Sequence, residues 1–302
     1  MTAVVLLLVP GVHLLDLAGP AQVFDTAGYR LHFVAEREDV RSAQGLPVRA
    51  SLDWPDDADL VVVPGWRASP TLAGTGPLSD ATLGRLRAHH DAGGTVASVC
   101  AGADALGRAG LLDGRRCTTH HELQDELARR HPRATVVRDV LYTVDGRVVT
   151  SAGIASGIDL SLHLVAAAHG PAAAARVARA MVVYARRNGD EQQASAMLRH
   201  RAHLSDAVHR VQDVIDARFT EPLPLATLAT AAGVADRTLT RLFRAATGLT
   251  PLRYQQQLRL ERAGHLIAHG ATVESAAHAT GFTDPRMLRR LRSRAAPVPP
   301  KR

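Results

Sequence analysis

Short, almost continuously apolar runs alternate with longer helical stretches in the first 187 residues, and that alternation fixes the class of fold open to this chain. Residues 3–9, Leu60–Val63 and Thr95–Val99 carry hardly any polar side chain, as strands buried on both faces require, and residues 30–35 read as a further strand. Helical character falls between them over residues 20–27 and 78–92, and again over 158–168 and 172–183. Asp145-Gly146 is a strong turn pair, so residues 141–144 and 147–150 around it predict a small hairpin, with 136–137 a short extended piece before it. Strands alternating with helices predict an α/β domain with a parallel sheet.

The character changes after Tyr184. Residues 186–193 are polar and contain the turn pair Asn188-Gly189, and beyond them the chain reads as helices separated by glycines. At 302 residues two domains are expected: an α/β domain over 1–187, a linker over 188–204 and an all-α domain over 205–302. Charge divides at the same place. Residues 1–187 hold 19 arginines and 19 acidic residues; residues 188–302 hold 17 basic and 10 acidic residues, so the whole net charge of +7 lies in the last third. A neutral body joined to a basic helical domain fits a nucleic acid or another anionic surface as the partner of that domain. Lys301 is the single lysine, a bias we assign to coding composition.

Other classes are excluded. With 46% hydrophobic and 22% charged residues the composition is that of a globular chain. Two cysteines, Cys100 and Cys117, cannot build a disulfide framework. The apolar run near the N-terminus is cut by Pro10 and followed by Asp16, too short for a membrane span and without the basic start of a signal peptide. A cytoplasmic protein with no membrane partner is expected.

The buried run Thr95–Val99 leads directly into Cys100-Ala101-Gly102-Ala103. A cysteine at a strand-to-helix corner, among small residues that permit close backbone approach, can be a nucleophile elbow. The helix N-terminus there is expected to lower the thiol pKa, and backbone N–H groups could hold an oxyanion. A small buried hydrophobe is the plainer reading of such a cysteine. His120 and His121 are expected to point apart on a strand, one toward a pocket and one to the surface, with no spacing that makes a metal site, and Cys117 is expected to be structural.

The motifs LLDLAGP (14–20), VVVPGW (61–66), SVCAGA (98–103), AGLLDGRRCTTHH (109–121) and TSAGIASGIDLSLHLV (150–165) resemble the ThiJ/PfpI class of glutamine-amidotransferase-like domains, in the version fused to AraC-type DNA-binding domains. The resemblance implies a flavodoxin-like parallel sheet. It implies Cys100 at the elbow with Asp16 close to the thiol, His120 and residues 153–159 near the same pocket, and Gly65, Trp66, Ala101 and Gly102 around its oxyanion position. Hydrolytic members place a histidine directly after the cysteine, whereas this chain has Ala101, and Asp104 replaces a commonly apolar residue. A sensing pocket without cofactor or metal is therefore the reading, with a cysteine-dependent hydrolase or hydratase of the isonitrile-hydratase type as the alternative.

In the basic third, Leu225, Leu228, Ala229 and Ala232 lie at helical spacing up to Gly233. A second helix over 236–246 puts Leu239, Leu242, Phe243 and Ala246 on one face and Arg237, Thr240, Arg241 and Arg244 on another. Two short helices joined by a tight turn, the second lined with arginine, read as a helix-turn-helix. Thr250-Pro251 starts a long helix, and a second helix-Gly-helix follows around Gly281, capped at Asp284. The stretches 225–263 and 274–294 resemble the AraC/XylS DNA-binding domain. That resemblance implies two helix-turn-helix units whose second helices enter successive major grooves of double-stranded DNA. The expected contacts are Arg237, Thr238, Thr240, Arg241 and Arg244 from the first unit, and Arg286, Arg289 and Arg290 from the second. Relatives carry a capping Ser or Thr where this chain has Ala235, and they continue past the last recognition helix with a further turn and helix. Residues 295–300 read Ala-Ala-Pro-Val-Pro-Pro instead, so DNA contact is expected to lean on the first unit. A small-molecule effector, a second copy of the chain and, for an activator, RNA polymerase complete the expected partners.

Overall fold

The apolar runs become the middle of one sheet. The computed structural model describes residues 3–68, 76–183, 189, 193, 200, 201, 203–268 and 270–295. They form two compact units, Met1–Gln193 and Ala194–Arg302. The sheet of the first unit has the order β2-β1-β5-β6-β10-β9. Its strands are β1 (Ala3–Leu7), β2 (Arg30–Val34), β5 (Leu60–Val63), β6 (Thr95–Val99), β9 (Tyr142–Asp145) and β10 (Val148–Ser151). All neighbours pair in parallel except β9, which turns back on β10 through the expected Asp145-Gly146 hairpin. The four central strands are β1, β5, β6 and β10, and each is wholly or almost wholly buried along its length. Two short ribbons lie outside the sheet: β3 (Asp39–Arg41) with β4 (Pro47–Arg49), and β7 (Arg116–Cys117) with β8 (Thr135–Val136).

Six described helices accompany the sheet: α1 (Leu14–Thr26), α2 (Asp80–Asp91), α3 (Gly102–Arg108), α4 (Gln124–Arg130), α5 (Ser156–His169) and α6 (Pro171–Ala180). The first begins at Leu14, six residues before the helical stretch expected from sequence, and contains Pro20. Gly19-Pro20 reads as a helix start because proline cannot donate inside a helix. Tertiary packing overrides that preference here: α1 crosses α5 so closely that a methyl on Gly19 would lie 3.0 Å from Ile158 Cγ1. Strand β1 stops at Leu7 and not at residue 9, although Leu8 and Val9 stay buried. Helix α6 stops at Ala180 and not at residue 183, because Val182 adopts φ +56°.

Both outer edges of the sheet meet loop backbone. Beside β2, Ser51 donates to Phe33 O and accepts from Ala35 N, each at 2.9 Å. Beside β9, Gly189 O accepts from Leu141 N at 2.8 Å and from Tyr142 N at 3.3 Å.

The second unit contains six described helices: α7 (Asp206–Arg218), α8 (Leu225–Ala232), α9 (Asp236–Thr247), α10 (Pro251–Ala268), α11 (Val273–Ala279) and α12 (Pro285–Ala295). Helix α7, capped by the Ser205 side chain, is the element the sequence did not single out. Gly233 breaks α8 from α9 at φ +70°. Asp236 does not replace the missing cap at Ala235, and α9 starts with no side-chain cap bond. Asp284 does cap α12, accepting from Arg286 N at 2.8 Å. Most of the expected linker and the tail 296–302 lie outside the described residues. No helix among the described residues is long and apolar enough to cross a membrane.

Candidate functional site

Parallel register brings the C-terminal ends of β5 and β6 side by side, Val63 opposite Ser98, and the chain turns sharply beyond both. This is where open parallel sheets bind ligands. Cys100 holds φ +55°, a left-handed conformation that strains a residue with a side chain by about 1–3 kcal/mol. Its N–H donates to Ser151 O at 3.0 Å and its carbonyl accepts from Thr119 Oγ1 at 2.7 Å. Glycine is required around it. A methyl on Gly153 would lie 2.2 Å from Cys100 Cβ, one on Gly65 2.7 Å from the same atom, and one on Gly102 2.1 Å from Val63 O. The small-residue elbow expected from sequence is present, with Ala101 and Gly102 opening α3.

Asp16 stands in the first turn of α1 and is fully buried. Its Oδ1 accepts from Ile154 N at 2.7 Å, and Ile154 is itself held at φ +52°. Among the described residues its Oδ2 has no partner of good hydrogen-bond geometry, and it lies against Gly65 where the carboxyl faces the Cys100 thiol. Burial raises the Asp16 pKa against the pull of the Ile154 N–H. Burial, and then the Asp16 carboxyl, push the Cys100 thiol far above its ordinary range. The expected thiolate is therefore corrected: the helix-end field is present, but desolvation and a neighbouring acid outweigh it, and the sulfur stays protonated. Cys117, buried on β7, is raised by burial to about 11.

The other expected pocket residues divide. Trp66 is buried and joins the domain core, bridged to Val12. Asp104 is buried and engaged by basic side chains: Arg130 Nε and His131 Nε2 each lie 2.9 Å from its Oδ1. His120 and His121 do not point apart on a strand. They precede and open a short 3-10 turn, which brings their rings to 4.2 Å between centroids. His120 is partly buried, its pKa lowered by burial and by His121, and among the described residues it makes no hydrogen bond to Cys100 or Asp16. Sequence reasoning missed Gln193. Its Nε2 donates to Thr119 O at 2.9 Å and Val140 O at 3.1 Å, and its N–H donates to Asp139 Oδ1. The same Thr119 holds the Cys100 carbonyl.

In the second unit, Arg237, Arg241 and Arg244 are exposed on α9 and line one shallow concave surface with Thr240 and Ala245. None of the three forms an ion pair among the described residues, and their spacing, about one helical turn from each to the next, sets them in a row facing solvent. Thr238 is half-buried beside them, and the Thr240 hydroxyl turns back to Asp236 O at 3.0 Å. On α12, Arg286 and Arg290 are exposed, whereas Arg289 is paired with Glu274.

Comparison with known proteins matches residues 2–167 to the DJ-1/PfpI family and residues 228–302 to a helix-turn-helix domain. The HTH-type transcriptional regulator CdhR of Pseudomonas aeruginosa is 33% identical over 303 residues, covering 97% of this chain and 89% of the relative. Isonitrile hydratase of Pseudomonas putida is 36% identical over 167 residues, covering 52% of this chain and 68% of the enzyme. The crystal structure of an AraC family transcriptional regulator from Pseudomonas putida matches 60% of this chain and all of that one, with a TM-score of 0.52 at 24% identity, a likeness of fold. The chain belongs to the DJ-1/PfpI family, in the branch that carries an AraC-type helix-turn-helix domain and is made up of transcriptional regulators.

Proposed function

We propose that this regulator is a cytoplasmic homodimer that binds specific double-stranded DNA through its helical unit and senses a small molecule at the Cys100–Asp16 pocket. The row of exposed arginines Arg237, Arg241 and Arg244 on α9, unpaired among the described residues, carries the DNA reading. Their forked donors suit guanine edges and phosphates, and no acidic side chain among the described residues pairs with them. Footprinting on the DNA upstream of the protein's own locus tests it. A discrete, salt-sensitive protected site is expected, and uniform nonspecific binding overturns it.

The pocket supports sensing over turnover. A thiol held protonated, with no histidine hydrogen-bonded to it among the described residues, is a poor nucleophile. Cys100→Ala is expected to keep DNA binding and to lose its response to the effector found by thermal-shift screening. The likeness to isonitrile hydratase and the retained Cys100–Asp16 pair favour one second reading, a cysteine-dependent hydratase or hydrolase. Turnover of an isonitrile or amide by the wild type, lost in Cys100→Ala, would establish that reading in place of sensing.

A further inference from the structure

Two separate hydrophobic cores hold the helical unit together. One gathers Val211, Ile215, Phe243, Tyr254 and Leu258 around the first helix-turn-helix; the other gathers Ala263, Ala276, Ala277, Phe282 and Leu288 around the second. Helix α10 leaves the first core at Leu258 and enters the second with Leu260 and Ala263, so Arg259 stands at the seam. All three guanidinium nitrogens of Arg259 donate to backbone carbonyls. Nε reaches Phe219 O at 2.6 Å and Nη2 reaches Glu221 O at 2.7 Å, both in the segment that leaves α7 on the first core. Nη1 reaches Gly281 O at 2.7 Å, in the turn between α11 and α12 of the second unit. Gln255, one helical turn earlier, donates to the same Phe219 and Glu221 carbonyls. The two halves touch closely there: Gly281 sits at φ +79°, and a methyl on it would lie 1.9 Å from Thr220 O.

We infer that Arg259 is a positioning residue that bolts the two helix-turn-helix units at a fixed separation, and so sets the spacing between the two DNA segments that α9 and α12 read. This rests on the DNA-binding reading. Arg259 touches no base in this role. A planar fork can hold three carbonyls at once, which the point charge of a lysine cannot. The apolar contacts are split between two cores, so the polar bolt, not a shared core, resists rocking of one unit against the other.

The test uses the full chain. A preferred duplex is selected from a random double-stranded library by the wild type and footprinted, and one base pair is then inserted between the two protected segments. One added base pair turns the second segment by about 35° around the DNA axis. The wild type is expected to lose about tenfold or more in affinity for the inserted duplex. Arg259→Ala and Arg259→Lys, with folding verified by thermal unfolding, are expected to discriminate between the two duplexes several-fold less than the wild type. Gln255→Ala, which leaves the bridge to Gly281 in place, is expected to keep most of the discrimination and serves as the variant if both Arg259 variants unfold. The proposal is overturned if a folded Arg259 variant keeps the wild-type ratio, if Gln255→Ala abolishes discrimination, or if the wild type tolerates the insertion. In that last case the DNA reading stands; a wild type that selects no duplex sinks both.

Discussion

The two candidate sites meet opposite demands. The Cys100–Asp16 pocket is buried, with burial raising the pKa of both groups, and is held by strained backbone at Cys100 and Ile154. The arginine row on α9 is exposed, charged and unstrained, on a regular helix. A buried site depends on everything packed around it, so substitutions there should register as stability. An exposed row depends on its own side chains, so substitutions there should register as affinity alone.

The largest expected effect tests the first half of that contrast. Gly153 itself sits at φ +92°, so Gly153→Ala both strains the backbone and forces a methyl into Cys100, and should cost about 3–5 kcal/mol in urea unfolding of the first unit. A loss under ~1 kcal/mol would mean the elbow is not rigid. Next, Arg241→Ala should weaken specific DNA binding by about 1–3 kcal/mol in titrations while the melting temperature stays put. A shift in melting without a change in binding would reverse the assignment. Glu274→Ala breaks an exposed pair, so its stability cost should fall within about 0–1 kcal/mol. Because it frees Arg289, DNA affinity should rise slightly; a fall would place Glu274 in the interface.

The smallest effect is one of slope. The Asp16 pKa is raised on folding, so the folded chain holds its proton longer than the unfolded chain does. Stability from that proton is complete below the ordinary carboxylate range and is lost as pH climbs through the raised value. Asp16→Asn does not titrate there and should flatten the dependence, which unfolding at a series of pH values would show. A steeper slope in the variant would contradict the raised value.

Much of this was legible in the amino-acid sequence, for physical reasons. Buried parallel strands must be continuously apolar, so β1, β5 and β6 stood out, and an elbow needs small residues, so Cys100-Ala101-Gly102 stood out too. Repeated helix-Gly-helix spacing exposed both helix-turn-helix units. The ionisation of Cys100 was not legible, because the group that governs it beside burial is Asp16, 84 positions earlier in the chain. The ribbon β3–β4 hid because its three-residue strands are largely exposed and show no apolar run. His120 and His121 were misplaced because a dipeptide carries no period from which a turn can be told from a strand. Gln193 sits in a polar stretch that composition marks as linker; only the fold shows that it is tied to Thr119.

The loop backbone along the two outer strands has a consequence for how copies of this protein can meet. An open sheet edge is a template for another chain, and long exposed edges lead to aggregation. Here Ser51 takes up amide and carbonyl groups beside β2, and Gly189 takes up the amides where β9 begins. Among the described residues, loop backbone therefore interrupts the row of donors and acceptors at each outer edge that a neighbour could extend. Strand addition by a neighbouring chain is thereby blunted at both ends of the sheet.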